Sequence, residues 1–338
     1  MSLPDFLIAG APKAGTTALH VALARHPQLY LSRMKEPKFF LTDGPPRAQG
    51  GPDDARTLLE QVWQRDKYEA LFADAPPGAL LGESTSLYLH DPVAIQRIRT
   101  AIPDVRIIGL LRDPVDRAHS NWAHLWSAGL EPEHDFVAAC LLEDKRAADG
   151  WASFWRYLSL GKYGEQLEHL WSLFPREQTL VLRYRELRES PAGTLNRITT
   201  FLGVAPGVVT ETTAENVTTH ASPSPVNRAV AQALRFGSSV EARLPNPLAR
   251  GLGPTNRFLS RHLQREQRIR EPLTRDQRAA LIPHFTQDVT LLEQLTGESF
   301  AEWLDVDVGR FGDRAALKPA GRIGTAHQSI DRPIPDEA

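Results

Sequence analysis

Continuous apolar runs, rather than alternating ones, mark the strands of this chain. The clearest is VRIIGLL at 105–111, with one charge in seven positions and almost no alternation. That is the pattern of a strand covered on both faces in a parallel sheet. DFLIAG at 5–10, PQLYLS at 27–32, ALLGES at 79–84 and TLVLRY at 179–184 read as further short strands. Between them the apolar period lengthens towards 3.6. Residues 16–25 predict a helix whose apolar side is Leu19, Val21, Ala22 and Leu23. Residues 54–73 predict another, through Leu58, Leu59, Val62, Tyr68, Leu71 and Phe72. Asp91 caps a helix that has Pro92 at its first position, and Pro114 opens one running to Ala128. Residues 135–148, 164–173 and 190–202 complete the central set, the last stopping at Gly203. Later, Leu281, Phe285, Val289, Leu292 and Leu295 share one face of a long helix. Strands alternating with helices at this spacing predict an α/β fold: a mainly parallel central sheet flanked by helices, with a helical C-terminal part. Residues 42–54 and 204–226 are loop-like, rich in Gly and Pro or in Thr, Ser and Pro. The expected organisation is one domain over 1–304, with an α/β core at 5–203, and a loose tail at 305–338.

Size and composition narrow the class. The 338 residues suffice for one large domain, and 41% hydrophobic with 24% charged residues is ordinary for a globular protein. A net charge of −2 gives no global field drawing the chain to nucleic acid or to an anionic membrane. The single cysteine, Cys140, excludes a disulfide within the chain and reads as a packed helical residue. No run approaches the roughly 20 apolar residues of a membrane span. No basic, then apolar leader precedes the first strand, so a cytoplasmic location is the expectation. Residues 228–278 hold eleven arginines and no lysine against four acidic residues. This stretch reads as a solvated helical surface, with a grip on an anionic acceptor as the alternative. Few aromatic residues accompany it, which argues against single-stranded nucleic acid. HExxH, paired CxxC and close His/Asp clusters are absent, so no metal is expected.

The candidate chemistry begins where the first strand ends. LIAGAPKAGTTAL at 7–19 places Gly10, Lys13, Ala14, Gly15, Thr16 and Thr17 between a buried strand and a helix. Successive amides at a helix N-terminus form an anion site, and glycines let the backbone approach closely. Gly10 and Gly15 have the spacing of GxxxxGK(S/T), but Thr16 follows the second glycine and the lysine sits earlier, at Lys13. The lysine is relocated, and the Lys-Ser/Thr pair that places magnesium beside a γ-phosphate is missing.

PKAGTT at 12–17 resembles the 5′-phosphosulfate loop of sulfotransferases that use 3′-phosphoadenosine 5′-phosphosulfate (PAPS). RIIGLLRDPVDRAHSNW at 106–122 resembles that family's 3′-phosphate segment, with Ser120 eight residues after Arg112. The resemblance implies that Arg112 forks onto the 3′-phosphate and Ser120 adds a hydroxyl donor. Taken alone, RDP also allows Arg112 to pair with Asp113 or Asp116. THASPSPVNRAV at 219–230 lies where the family places late nucleotide contacts, which makes Arg228 a candidate. SRMKEPKFF at 32–40 resembles the segment carrying the glutamate base in the heparan-sulfate-type branch, implying Glu36 as general base beside Lys35. A hydroxyl acceptor must lose its proton as it attacks sulfur, so such a base is needed. In-line transfer builds charge on the leaving oxygen, which Lys13 would stabilise. Cytosolic members of the family use a histidine, for which His90 and His124 are the candidates, and Tyr163 matches a position near the acceptor side. Two departures bear on the acceptor: Ser84 stands where heparan-type enzymes often carry a lysine, and Arg185 where an acidic residue often follows LRY.

The resemblance spans about residues 5–203 and implies a P-loop-like sulfotransferase. Such an enzyme uses PAPS as donor, releases 3′-phosphoadenosine 5′-phosphate (PAP), needs no metal, and acts on a carbohydrate, glycosylated metabolite or other small-molecule acceptor. The rival readings are a P-loop nucleotide kinase and a relative that binds PAP without transferring anything.

Overall fold

The computed structural model describes residues 3–47, 49–212 and 272–307. Arg228, the arginines at 235–270 and the tail from 308 lie outside the described residues. Five strands form one sheet: β1 (Phe6–Gly10), β2 (Leu29–Leu31), β3 (Leu80–Ser84), β4 (Arg106–Leu111) and β5 (Thr179–Arg183), in the order β2-β3-β1-β4-β5. Every neighbouring pair is parallel, with Phe6 opposite Gly82 on one side and Arg106 on the other. β1 is buried throughout, and Ile107, Ile108, Leu110 and Leu111 of β4 are all but inaccessible. Each such side chain contributes about 1.5–3 kcal/mol of burial, which explains why the unbroken apolar runs occupy the sheet centre. Gly82 is required by close approach, since a Cβ there would meet the Phe6 ring at 2.1 Å.

The helices are α1 (Thr16–Leu23), α2 (Asp54–Leu59), α3 (Arg65–Ala70), α4 (Pro92–Ala101), α5 (Pro114–Ser127), α6 (Phe136–Leu141), α7 (Glu143–Ala148), α8 (Tyr163–Leu173), α9 (Tyr184–Glu189), α10 (Pro191–Leu202), α11 (Arg275–Leu281) and α12 (Thr286–Thr296). Asp91 caps α4 as the sequence predicts, its Oδ1 accepting from the Val93 and Ala94 amides at 2.9 Å. Three predicted helices are each two. The expected 54–73 helix breaks at 60–64, where the Val62 amide donates to Pro37 O at 2.9 Å and Gln61 Nε2 to Lys38 O at 2.9 Å. The 135–148 helix breaks at Leu142. The helix through 281–295 is interrupted by a 3₁₀ turn at Ile282–His284, where Pro283 removes a donor.

Arg278 of α11 is buried and fastens the C-terminal part to the sheet. It bonds both carboxylate oxygens of Asp113, Asp116 Oδ1 at 3.4 Å, and the carbonyls of Trp303 at 3.2 Å and Asp305 at 2.8 Å. This part of the arginine-rich stretch is therefore an internal clasp rather than a solvated face. Arg275 pairs with Asp307 at 3.1 Å, so the first residues of the expected tail are held.

Candidate active site

All five strands point their carboxyl ends at one edge, and the loop 10–17, Arg112 and Glu36 lie at that edge. In an open α/β sheet this edge, where the strand order reverses around β1, is where ligands bind. β1 delivers the loop 10–17. Lys13 has φ 67 and Gly15 φ 92, so the chain turns through two left-handed residues before α1 begins. A Cβ at Gly15 would lie 2.9 Å from the Tyr184 ring, a second reason for glycine there. No side chain caps α1, which leaves its first-turn amides available to an anion. Thr16 is buried in that turn and Thr17 half-buried beside it.

β4 delivers Arg112. Its Nη1 donates to Lys13 O at 3.1 Å and its guanidinium lies 5.0 Å from the Tyr184 ring centroid. The alternative pairing with Asp113 or Asp116 is not what forms, because Arg278 takes both carboxylates. The two predicted anion-binding elements thus touch: the loop at Lys13 and the strand end at Arg112 are one hydrogen bond apart. Ser120 lies on α5 two turns on, 8% exposed.

β3 and the segment after β2 deliver Glu36. Its carboxylate accepts from Lys35 Nζ at 2.7 Å, Ser86 Oγ at 2.8 Å and the Ser86 amide at 3.1 Å. The Glu36 side chain keeps 27% of its surface exposed, enough to meet a ligand. His20 of α1 bonds Ser84 Oγ through Nδ1 at 2.8 Å. Burial first, then the Lys35 charge, hold its imidazole down to about 4, against which the Glu36 charge acts. His20 therefore ties the helix that follows the loop 10–17 to the Glu36 cluster.

The other candidates are placed differently. His90 follows the β3 carboxyl end; burial, then the charge of Arg156, lower its pKa to about 4. It is neutral at pH 7 and a weak proton acceptor. His124 is half-buried on α5 with its ring edge-on to Phe154 at 6.1 Å. Tyr163 lies in the interior, 1% exposed, against the Trp303 ring.

Four residues of this edge went unnoticed in the sequence: His20, Glu83, Ser86 and Tyr184. Glu83 is the most informative. It is fully buried, and its carboxylate accepts from Thr85 Oγ1 at 2.5 Å, Tyr68 OH at 2.8 Å and Tyr88 OH at 3.0 Å. Burial pushes its carboxyl up to about 7, although the three hydroxyl bonds act the other way. The available signal was a carboxylate inside a short apolar strand followed by Thr, Ser and Tyr.

The sulfotransferase-domain family model matches residues 3–232, and the chain belongs to that family. The human bifunctional heparan sulfate N-deacetylase/N-sulfotransferase 3 is 30% identical over 213 residues, covering 60% of this chain and 23% of the relative. Human heparan sulfate glucosamine 3-O-sulfotransferase 3B1 is 30% identical over 202 residues, covering 60% of this chain and 46% of the relative. The chain thus spans less than half the length of these curated relatives. A solved sulfotransferase from Alicyclobacillus acidocaldarius superposes with TM-score 0.68 at 27% identity, covering 90% of this chain and all of that one. The fold is the P-loop-like sulfotransferase architecture expected from the sequence. Among the described residues, no cluster of His, Cys, Asp or Glu has the grouping of a metal site, and no helix is long and apolar enough to cross a membrane.

Proposed function

We propose that this chain transfers a sulfuryl group from PAPS to a hydroxyl of a carbohydrate, glycosylated metabolite or other small molecule. The observation that carries the reading is the shared edge. An uncapped helix N-terminus behind a relocated lysine, an arginine bonded to that same loop, and a braced, part-exposed glutamate lie at the same carboxyl edge of the sheet. Residues 13–17 fit the 5′-phosphate of PAPS, because the loop turns through Gly15 into a helix whose first-turn amides no side chain caps. Arg112 and Ser120 fit the 3′-phosphate. When bound, PAPS supplies an activated sulfuryl group with a phosphate leaving group. Lys13 then offers a cation to the charge that builds on that phosphate. Glu36 accepts the proton of the acceptor hydroxyl, and Lys35 with Ser86 fix which oxygen faces it. The N-sulfotransferase named among the relatives supports an amine as the alternative acceptor.

Glu36→Gln should lower sulfuryl transfer from 35S-labelled PAPS to a panel of carbohydrate acceptors by at least 100-fold. PAP affinity by calorimetry should stay within about threefold. Equal turnover by the variant removes Glu36 from the base role, and tighter binding of Mg·ATP than of PAP replaces the reading with a nucleotide kinase.

A further inference from the structure

The segment bearing Glu36 follows an unusual path. Glu36 and Lys38 both have φ 60, a left-handed backbone that residues with a Cβ seldom adopt. Three amides fasten it. Glu36 N donates to Ser84 O at 2.8 Å, Lys38 N to Thr85 Oγ1 at 3.1 Å and Phe40 N to Tyr88 OH at 3.3 Å. The last two end on hydroxyls, and both hydroxyls donate onward to one carboxylate, Thr85 to Glu83 Oε1 and Tyr88 to Glu83 Oε2. Tyr68 of α3 donates to Oε2 as well, so both oxygens are engaged.

The direction of these bonds matters. Above about pH 7, where Glu83 is ionised, its carboxylate only accepts, and each hydroxyl has a single proton. With Glu83 in place, Thr85 and Tyr88 each spend that proton inward and present lone pairs outward, where the Lys38 and Phe40 amides need acceptors. We propose that Glu83 is a positioning residue for Glu36: its buried carboxylate, acting through Thr85 and Tyr88, fixes the backbone of residues 36–40 and so aims the proton-accepting side chain. The inference rests on the reading of Glu36 as the base. Glu83 is itself enclosed by Tyr68, Thr85 and Tyr88 and touches no reacting atom.

Glu83→Gln keeps the shape but puts an NH2 where an acceptor stood. The hydroxyl facing it must accept from both sides and loses its inward proton acceptor. Hydrogen–deuterium exchange of the Lys38 and Phe40 amides reads the relay directly. In Glu83→Gln at least one of the two should exchange tenfold faster. Tyr88→Phe, a smaller change, should release Phe40 and spare Lys38, and Thr85→Val should do the reverse. The catalytic consequence is read with water as acceptor: water adds to sulfur, the bond from sulfur to the bridging phosphate oxygen breaks, and 35S-labelled PAPS gives PAP, sulfate and two protons, one of them taken up first by Glu36. Glu83→Gln should lower this rate at least tenfold with PAP affinity within threefold, and should cause no further loss in a Glu36→Gln background. Parental exchange in all three variants, or a loss that persists undiminished in the Glu36→Gln background, overturns the proposal. Parental turnover by Glu36→Gln alone instead overturns the base assignment, while the exchange data still decide whether Glu83 holds the segment.

Discussion

At the scale of single residues, Arg112 shows how an ambiguous motif is resolved. RDP in sequence places a guanidinium beside Asp113 and near Asp116, and nothing local decides which partner it takes. The structure gives those carboxylates to Arg278 and turns Arg112 to Lys13 O and the Tyr184 face. Arg112 thus braces the loop, and the proposed function gives it a second task, meeting the 3′-phosphate. Arg112→Ala should weaken PAP by at least tenfold, since a charge-assisted bidentate contact contributes about 1.5–3 kcal/mol. Adenosine 5′-phosphosulfate, which has no 3′-phosphate, should lose about threefold or less by the same calorimetric titration. Equal losses would leave Arg112 with the loop alone. SRMKEPKFF singles out Glu36 as the proposed base, but nothing in the sequence points to Ser86, which holds it. That contact joins residues 50 positions apart, and serine carries no pattern of its own.

At the scale of elements, the strands were legible and the helix breaks were not. A buried parallel strand must be apolar throughout, so VRIIGLL and TLVLRY announce themselves. A helix break made by a distant segment leaves little local mark. The chain at 60–64 keeps a helical apolar period, yet Pro37 O and Lys38 O capture its donors. The one break with a local cause, at Pro283, follows from the residue's missing N–H. The N-terminus of α5 carries a second lesson. Asp113 Oδ1 caps it by accepting from the Val115 and Asp116 amides at 3.0 Å, and the same carboxylate binds Arg278. Arg278→Ala leaves that carboxylate unpaired at 12% exposure, and urea unfolding should show a loss of about 3 kcal/mol. Arg278→Lys should restore only part of it, because one ammonium cannot fork.

At the scale of the whole molecule, buried ionisable groups near the carboxyl edge of the sheet pull stability in opposite directions with pH. His20 and His90 are held near 4 against an ordinary 6.5, so their contribution is complete above 6.5 and is lost as pH falls towards 4. Glu83 is raised from 4.5 to about 7, so its contribution is complete below 4.5 and is lost as pH rises to about 7. The stability of the parent relative to Glu83→Gln should therefore fall between pH 5 and pH 7, by on the order of 2 kcal/mol, in urea midpoints compared at each pH. A difference that does not move with pH would return the carboxyl to the ordinary range.

The Arg278 clasp reaches 165 positions back along the chain to Asp113. A fragment ending before α11 would retain all five strands and the loop at 10–17, yet release two anions within four residues of Arg112. Those anions would become rivals of the nucleotide for its guanidinium. Through Arg278, a segment far along the chain from the strands thereby keeps those anions away from Arg112, and trimming it should depress PAP binding by calorimetric titration.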